Sequence, residues 1–147
     1  MKFIHTNIIA KDWRKLANFY IKVFKCKEVL PKKDLKGKWI EKGTAIDAVH
    51  IEGIHLRLPG YGDNGPTLEI FQYNKSISQD LRKINRQGFA HIAFSVDDVE
   101  SALNAVISAG GDKLSEIINH DIPGIGKITF VYATDPEGNF IELQKFW

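Results

Sequence analysis

The feature that most constrains this chain is an internal repeat. Two segments far apart in the chain each begin with a strand-like apolar run that carries a histidine, His5 in one copy and His91 in the other. An aspartate follows at the same interval in both copies, Asp12 and Asp98. Aspartate at this point predicts a helix N-cap, because its carboxylate can accept hydrogen bonds from the free amides of the first turn. Each copy is therefore expected to open as a strand followed by a helix.

Apolar residues continue at helical spacing after each aspartate, as an amphipathic helix requires. They are Leu16, Phe19, Tyr20, Val23 and Phe24 in the first copy and Val99, Ala102, Leu103 and Val106 in the second. Gly110 and Gly111 predict the end of the second helix, because glycine permits a left-handed C-terminal turn. Lys25 stands where the first helix could carry such a glycine.

The two copies also close alike. Segments 68–73 and 141–146 share the order apolar, glutamate, apolar, two variable residues, aromatic, which puts Glu69 and Glu142 at equivalent positions. The stretch 135–139, Asp-Pro-Glu-Gly-Asn, predicts a tight turn, because proline presets φ and glycine reaches positive φ. A hairpin into the last strand is expected.

Between helix and closing strand, further strands are predicted. The candidates are 26–31, 39–51 and 54–58 in the first copy and 113–118 and 127–133 in the second. The basic stretch 32–38 and the glycine-containing stretch 119–126 are interpreted as loops. Each copy then has the order βαβββ, which favours an antiparallel-rich sheet with one helix on one face.

Composition excludes several classes of protein. At 44% hydrophobic and 26% charged residues the chain is an ordinary globular sequence, and a net charge of +2 without a basic, aromatic-interleaved patch argues against a nucleic-acid partner. No apolar run approaches the roughly 18 residues of a membrane span, and the first apolar residues stop too early for a signal peptide. We therefore expect no membrane partner and a cytoplasmic location. A single cysteine, Cys26, excludes an intrachain disulfide and is expected to be a small buried thiol.

Two histidines and two glutamates at matching places in the repeat form a donor set for a divalent metal. Imidazole nitrogen and carboxylate oxygen both bind transition metals. A site with two neutral imidazoles and two carboxylates has no net charge once it binds a dication. Taken singly, each residue is more typical of a strand rim or a solvent-facing position. Their agreement across the repeat, and the cost of an unpaired carboxylate among apolar neighbours, favour a shared role in metal binding.

The paired openings, the glutamate-bearing closing strands and the turn at 135–139 resemble the vicinal-oxygen-chelate (glyoxalase/bleomycin resistance/dioxygenase) superfamily over essentially the whole chain. The resemblance implies an α+β fold in which two tandem βαβββ modules, about 1–75 and 88–147, form a single domain with a cup-shaped mixed sheet and the helices outside. It implies one divalent ion per site, for which nickel, cobalt, zinc, iron and manganese all suit the donors. The implied ligands are His5, Glu69, His91 and Glu142. Family members commonly form homodimers and act on small molecules, and both are expected here.

The glutamate at position 69 distinguishes between the kinds of enzyme in this superfamily that the chain could resemble. Extradiol dioxygenases and fosfomycin-resistance enzymes have a histidine at that position, and methylmalonyl-CoA epimerase normally has glutamine. The closest likeness is to glyoxalase I, which implies a lyase or isomerase acting on a small α-oxo or α-hydroxycarbonyl substrate. The implied reaction is proton transfer through a metal-bound enediolate, with Glu142 as the first candidate for the catalytic base and Glu69 as the second.

Two alternatives stay open, and so does the substrate. One is an acyl-CoA epimerase of the methylmalonyl-CoA type, and the other is a metal-free small-molecule binding or antibiotic resistance protein. The stretch 7–9 lacks the arginine that glyoxalase I uses for glutathione. His50, His55 and Arg57 in the middle strands are candidates for the wall of the substrate site.

Overall fold

The computed structural model describes residues 1–78 and 83–147, and the chain divides into two compact units, Met1–Ser78 and Gln79–Trp147. The elements of the first unit are β1 (His5–Ile9), α1 (Trp13–Phe24), β2 (Lys27–Lys36), α2 (Lys38–Thr44), β3 (His50–Arg57) and β4 (Thr67–Tyr73). The elements of the second unit are β5 (His91–Ser95), α3 (Val99–Ser108), β6 (Asp112–Lys113), β7 (Ile118–Ile122), β8 (Gly126–Thr134) and β9 (Phe140–Phe146). The predicted α+β class is confirmed.

Each unit builds one mixed sheet. The first sheet has the order β1-β4-β3-β2, and the second has the order β5-β9-β8-β6 with β7 also paired to β8. In both sheets the opening strand runs parallel to the closing strand, and the remaining pairs are antiparallel. The repeat seen in the sequence is therefore a repeat of topology, with α2 added in the first unit and the short β6 in the second.

The predicted helix ends are confirmed. The Asp12 carboxylate accepts from the amides of Arg14 and Lys15, and the Asp98 carboxylate accepts from the amide of Ser101. Lys25 takes the left-handed conformation, with φ of 59°, at the end of α1, and Gly110 takes it after α3 with φ of 95°. A non-glycine residue thus closes the first helix where the second uses glycine.

Each helix packs on one face of its own sheet. Helix α1 lies against β3 and β4, and α3 lies against β8 and β9. Alternate residues of these strands are buried almost completely and form the sheet side of the core. They are Ile54, Leu56, Leu68 and Ile70 in the first unit and Val131, Ala133, Ile141 and Leu143 in the second. The residues between them point to the face of each sheet that is opposite the helix. Glu69 lies on that face of the first sheet, and Glu142 lies on that face of the second.

The turn at 135–139 forms as predicted and joins β8 to β9. Asp135 is only 2% exposed, and its carboxylate accepts from the amides of Glu137 and Asn139 and from the Asn139 side chain. Gly138 has a φ of 81°, so this position requires the conformational freedom of glycine. The hairpin sets the register that places Glu142 opposite Tyr132.

The prediction of a loop at 32–38 is wrong. Most of that stretch belongs to β2, which lies at the edge of the sheet beside β3 and shifts register between Val29 and Lys33. Most side chains of β2 are exposed. Charged side chains and a proline, Pro31, are typical of an edge strand because they discourage pairing with other chains.

The predicted strand at 39–51 is also wrong. Its first part is the short helix α2, and only its last residues belong to β3. Ile40 of α2 packs, with Leu35, Ile46 and Tyr73, against a buried cluster. That cluster consists of Val49, Ile51 and Phe71. The helix has only seven residues, which is too short to show a clear helical periodicity in the sequence.

In the second unit the predicted strand at 127–133 is confirmed as part of β8, whereas the predicted strand at 113–118 is wrong, because β6 ends at Lys113 and residues 114–117 form no strand. The predicted loop at 119–126 also needs correction. Residues 118–122 form β7, which pairs with β8, and only the residues after it form the turn. The Thr129 hydroxyl donates to the Asn119 side chain at 2.7 Å, which ties the two strands together. Within 1–78 and 83–147, no helix is both long enough and apolar enough to cross a membrane.

Cys26 is 2% exposed, and burial raises the pKa of its thiol to about 11. Because the thiolate is the reactive form, a buried thiol with a raised pKa should react very slowly. We expect almost no reaction of the native protein with a thiol reagent such as DTNB at mildly alkaline pH, and one thiol per chain after unfolding in guanidinium. Rapid reaction of the native protein would show that Cys26 is accessible.

Candidate metal centre

In the first unit, three side chains of types that can bind a metal converge on the sheet face opposite α1. His5 comes from β1, Glu69 from β4 and His55 from β3, and one ligand atom of each lies within 4.8 Å of the other two. The Nε2 atom of His55 is 2.8 Å from Oε1 of Glu69, and Nε2 of His5 is 3.6 Å from Oε2. The two histidine rings meet edge to face, with centroids 5.7 Å apart.

Strand register explains this convergence. In the antiparallel pair β3 and β4, His55 lies directly opposite Glu69. In the parallel pair β1 and β4, Asn7 lies opposite Glu69, and His5 is two residues before it on the same face. Three neighbouring strands therefore each contribute one side chain to the same patch of the sheet.

Neighbouring polar groups hold Glu69 and His55 in place. The Asn7 side-chain amide donates to Oε2 of Glu69 at 2.8 Å. Nδ1 of His55 lies 3.1 Å from the hydroxyl of Thr67, a residue that is 6% exposed. Groups of this kind fix the orientation of ligand side chains in metal sites.

The electrostatic surroundings of His55 suit its imidazole to metal coordination. Burial lowers the pKa of its imidazole below the ordinary value, although the charge of Glu69 acts in the opposite direction. A neutral imidazole keeps a free lone pair, which is the form that binds metals. The Glu69 side chain is 12% exposed, so its carboxylate is largely withdrawn from water.

The second unit brings together the other predicted pair. Nε2 of His91 is 2.9 Å from Oε2 of Glu142, and their side chains are 28% and 14% exposed. Tyr132 lies opposite Glu142 in the β8 and β9 pair, and its ring meets that of His91 with centroids 5.2 Å apart. Partial burial, followed by the charge of Glu142, raises the pKa of Tyr132, so the phenol stays protonated at neutral pH.

The four residues singled out by sequence thus form two pairs, each within its own unit. His5 lies beside Glu69, and His91 lies beside Glu142. That all four bind one ion stays a prediction. The donors fit a divalent transition metal, since each pair offers imidazole nitrogen and carboxylate oxygen at short distance.

The three wall candidates have different surroundings. Nε2 of His50 is 2.5 Å from the Asp34 carboxylate on the neighbouring strand, and the Arg57 guanidinium donates to the carbonyl of Gly65. Only His55 joins the cluster around Glu69. The register between β3 and β4 brings it there, since His55 lies directly opposite Glu69.

Comparison with known proteins agrees with this architecture. The sequence model of one protein family, the glyoxalase/bleomycin resistance protein/dioxygenase superfamily, matches residues 2–143 of this chain. No curated protein sequence matches the chain. Solved structures with the same fold include a glyoxalase family protein from Bacillus cereus, with a TM-score of 0.78 at 15% identity over 99% of this chain and 93% of that one.

Two other similar structures cover nearly the whole of both chains. A glyoxalase family protein from Enterococcus faecalis has a TM-score of 0.62 at 22% identity, over 97% of this chain and 96% of that one. The fosfomycin resistance protein FosX from Listeria monocytogenes, solved with Mn(II) and a sulfate ion, has a TM-score of 0.58 at 15% identity, over 100% and 92%. At such identities these likenesses show the fold alone. With the family model spanning almost its full length, the chain belongs to the glyoxalase/bleomycin resistance protein/dioxygenase superfamily.

Proposed function

We propose that this chain is a metal-dependent enzyme that moves a proton at a carbon next to a carbonyl, as glyoxalase I-like lyases and isomerases do. The proposed substrate is a small α-oxo or α-hydroxycarbonyl compound. The observation that carries the proposal is the convergence of imidazole and carboxylate donors on Glu69. Family membership supports it, because the superfamily contains divalent-metal proteins such as FosX.

A divalent ion, when bound, would supply a Lewis acid that stabilises negative charge on a substrate oxygen. His5 and Glu69 are proposed as ligands in the first unit, with His91 and Glu142 in the second. Nickel, cobalt, zinc, iron and manganese all accept this mixture of donors.

Removal of the proton requires a base, and Glu142 is our candidate. Its carboxylate is largely withdrawn from water and lies beside the His91 ring, which holds it in one orientation. The protonated phenol of Tyr132 stands on the adjoining strand and offers a hydrogen-bond donor. Glu69 is the candidate for the second base in a reaction that returns the proton to a neighbouring carbon or to the opposite face.

Proton exchange in D₂O tests the proposal without knowledge of the substrate. Three classes would be offered to the protein, with and without added Co²⁺ or Mn²⁺: hemithioacetals of α-oxoaldehydes, α-hydroxyketones and 2-substituted acyl thioesters. We expect proton NMR to show metal-dependent loss of the α-proton signal in one of the first two classes. Exchange in the acyl thioesters alone would favour an epimerase.

A matched variant makes the result specific to the proposed base. Glu142→Gln should lose the exchange while keeping the size of the side chain, whereas Glu137→Gln, in the adjacent turn, should leave it unchanged. Absence of exchange in every class, or exchange that is indifferent to metal, would contradict the proposal and leave a metal-free binding protein as the better interpretation.

A further inference from the structure

The sheet face that carries Glu69 is rich in positive charge. Among the residues of β2, β3 and β4, the strand register puts three cations on the same face as Glu69, namely Lys27, Lys33 and Arg57. The other acidic residues of these strands lie on the face that α1 covers, and they are Glu28, Asp34 and Glu52. One carboxylate therefore faces three permanent cations, and a bound dication would add to the positive charge. Such a face attracts anions.

Lys33 differs from its neighbours on β2 in its surroundings. It is half-buried, whereas Lys32 and Lys36 are exposed. Lys36 pairs with Asp34, and Lys32 lies over the ring of Trp13 on the helix side. Within the part of the chain that the structure describes, the Lys33 ammonium makes no hydrogen bond or ion pair. Partial burial of a cation without a counter-charge is unfavourable, so a bound anion would be stabilised there.

The position of Lys33 places its charge close to the candidate metal centre. Lys33 lies opposite Gly53, which precedes His55 by two residues on the same face, and Arg57 follows His55 by two. Burial is the main cause of the lowered pKa of His55, and the charges of Lys33 and Arg57 also lower it. The Arg57 guanidinium already donates to the carbonyl of Gly65, whereas the Lys33 ammonium has no such partner.

We propose that Lys33 binds an anionic substituent of the substrate, a carboxylate or a phosphate, and so makes the protein prefer anionic over neutral α-oxo and α-hydroxycarbonyl compounds. This inference deepens the proposed function and rests on it. A lysine ammonium is a compact charge on a flexible stem, which suits either anion. Lys33 would hold the charged end of the substrate and leave its carbonyl end to the proposed metal ligands. Arg57 would add positive potential without contact.

Proton exchange in D₂O with substrates matched except for charge tests the preference. Methylglyoxal hemithioacetals of mercaptoethanol and of mercaptopropionate differ by a carboxylate, and dihydroxyacetone and its phosphate differ by a phosphate. In the Co²⁺-loaded wild type, kcat/KM should be at least about 10-fold higher for an anionic member than for its neutral partner. Lys33→Gln should lower that ratio by about 10–100-fold, the range expected for one hydrogen bond between charged groups.

Lys32→Gln is the matched control. It removes the same charge from the same strand, but from the side on which Lys32 lies over the Trp13 ring. The ratio of anionic to neutral substrate should therefore be that of the wild type. Circular dichroism of both variants would confirm that they are folded.

Anion binding provides a readout that needs no activity. The full-length, metal-free protein would be titrated with malonate and, separately, with inorganic phosphate, and followed by amide NMR. Shifts should centre on residues 53–57 and on Lys33, and they should be lost in Lys33→Gln but kept in Lys32→Gln. A response to malonate alone would identify a carboxylate site, and a response to phosphate alone a phosphate site.

The outcomes separate this inference from the proposed function. Exchange that is indifferent to substrate charge, or a ratio unchanged in Lys33→Gln, would overturn the inference and leave the proposed function intact. Anion binding that depends on Lys33, without exchange of any substrate, would support the anion site and contradict the proposed function. Without exchange, anion shifts that are absent from the wild type or persist in Lys33→Gln would overturn both.

Discussion

Replacing Glu69 by alanine should lower the affinity for a divalent metal by at least about 100-fold, more than the 10–100-fold typical of removing a residue that only hydrogen-bonds to a metal ligand. Glu69 is the residue on which both histidines of the first unit converge, and it supplies the negative charge of that cluster. Alanine is preferred to glutamine, because the amide oxygen of glutamine can still bind a metal. Calorimetric titration with Co²⁺ or Mn²⁺ would measure the change.

Glu52→Ala is the matched control for this variant. Glu52 lies on the adjacent strand but on the opposite face of the sheet, where its carboxylate pairs with Arg14 of α1 at 3.2 Å. Removal of that exposed pair should leave metal affinity unchanged and cost less than about 1 kcal/mol of stability. Equal metal affinity in Glu69→Ala and Glu52→Ala would exclude Glu69 as a ligand.

Replacing Gly53 by alanine should destabilise the first unit by about 1–3 kcal/mol, which corresponds to a fall of about 2–4 °C in melting temperature for each kcal/mol. A Cβ atom at Gly53 would stand closer than 3.0 Å to the carbonyl oxygen of Ile70 and to the ring of Phe71. The backbone oxygen cannot swing aside, so β3 and β4 must shift apart. The Phe71 ring also meets the His55 ring edge to face, with centroids 6.0 Å apart.

Gly43→Ala provides the comparison. Gly43 is exposed in α2, and an added Cβ there would meet nothing within 4 Å. Alanine favours a helix over glycine, so this variant should be neutral or up to about 1 kcal/mol more stable. Thermal melts that rank Gly53→Ala at or above Gly43→Ala would show that the close approach of β3 and β4 is wrong.

Much of the fold could be predicted from sequence because its signals are local. The N-caps Asp12 and Asp98 and the turn at 135–139 depend on residues that are close together in the chain. The repeat then linked the two halves, since the same local pattern occurs twice. The hairpin into the last strand could be expected because the turn at 135–139 is short.

The features that sequence missed depend on tertiary context. The lysine-rich part of β2 looks like a loop, but it is an edge strand whose charged side chains reach solvent. Helix α2 is stabilised by the contact of Ile40 with the buried cluster around Ile51, a contact that no periodicity encodes. In both segments the surroundings in the folded protein, rather than the secondary-structure propensity of the residues, decide the structure.

The candidate site was predictable in part. The choice of His5, Glu69, His91 and Glu142 as candidates followed from the repeat, and the structure places His5 beside Glu69 and His91 beside Glu142. The place of His55 beside Glu69 did not, because it depends on the register of a hairpin with a long connection. No counterpart in the second copy drew attention to it, since Tyr132 occupies that position.

Anomalous diffraction from crystals grown with Co²⁺ or Mn²⁺ is the most direct test of the central claim, that this chain holds a divalent ion at Glu69. The prediction is one anomalous peak per chain within about 2.0–2.3 Å of a Glu69 carboxylate oxygen and of Nε2 of His5. A map with no peak beside Glu69, under conditions where the ion is in excess, would contradict it.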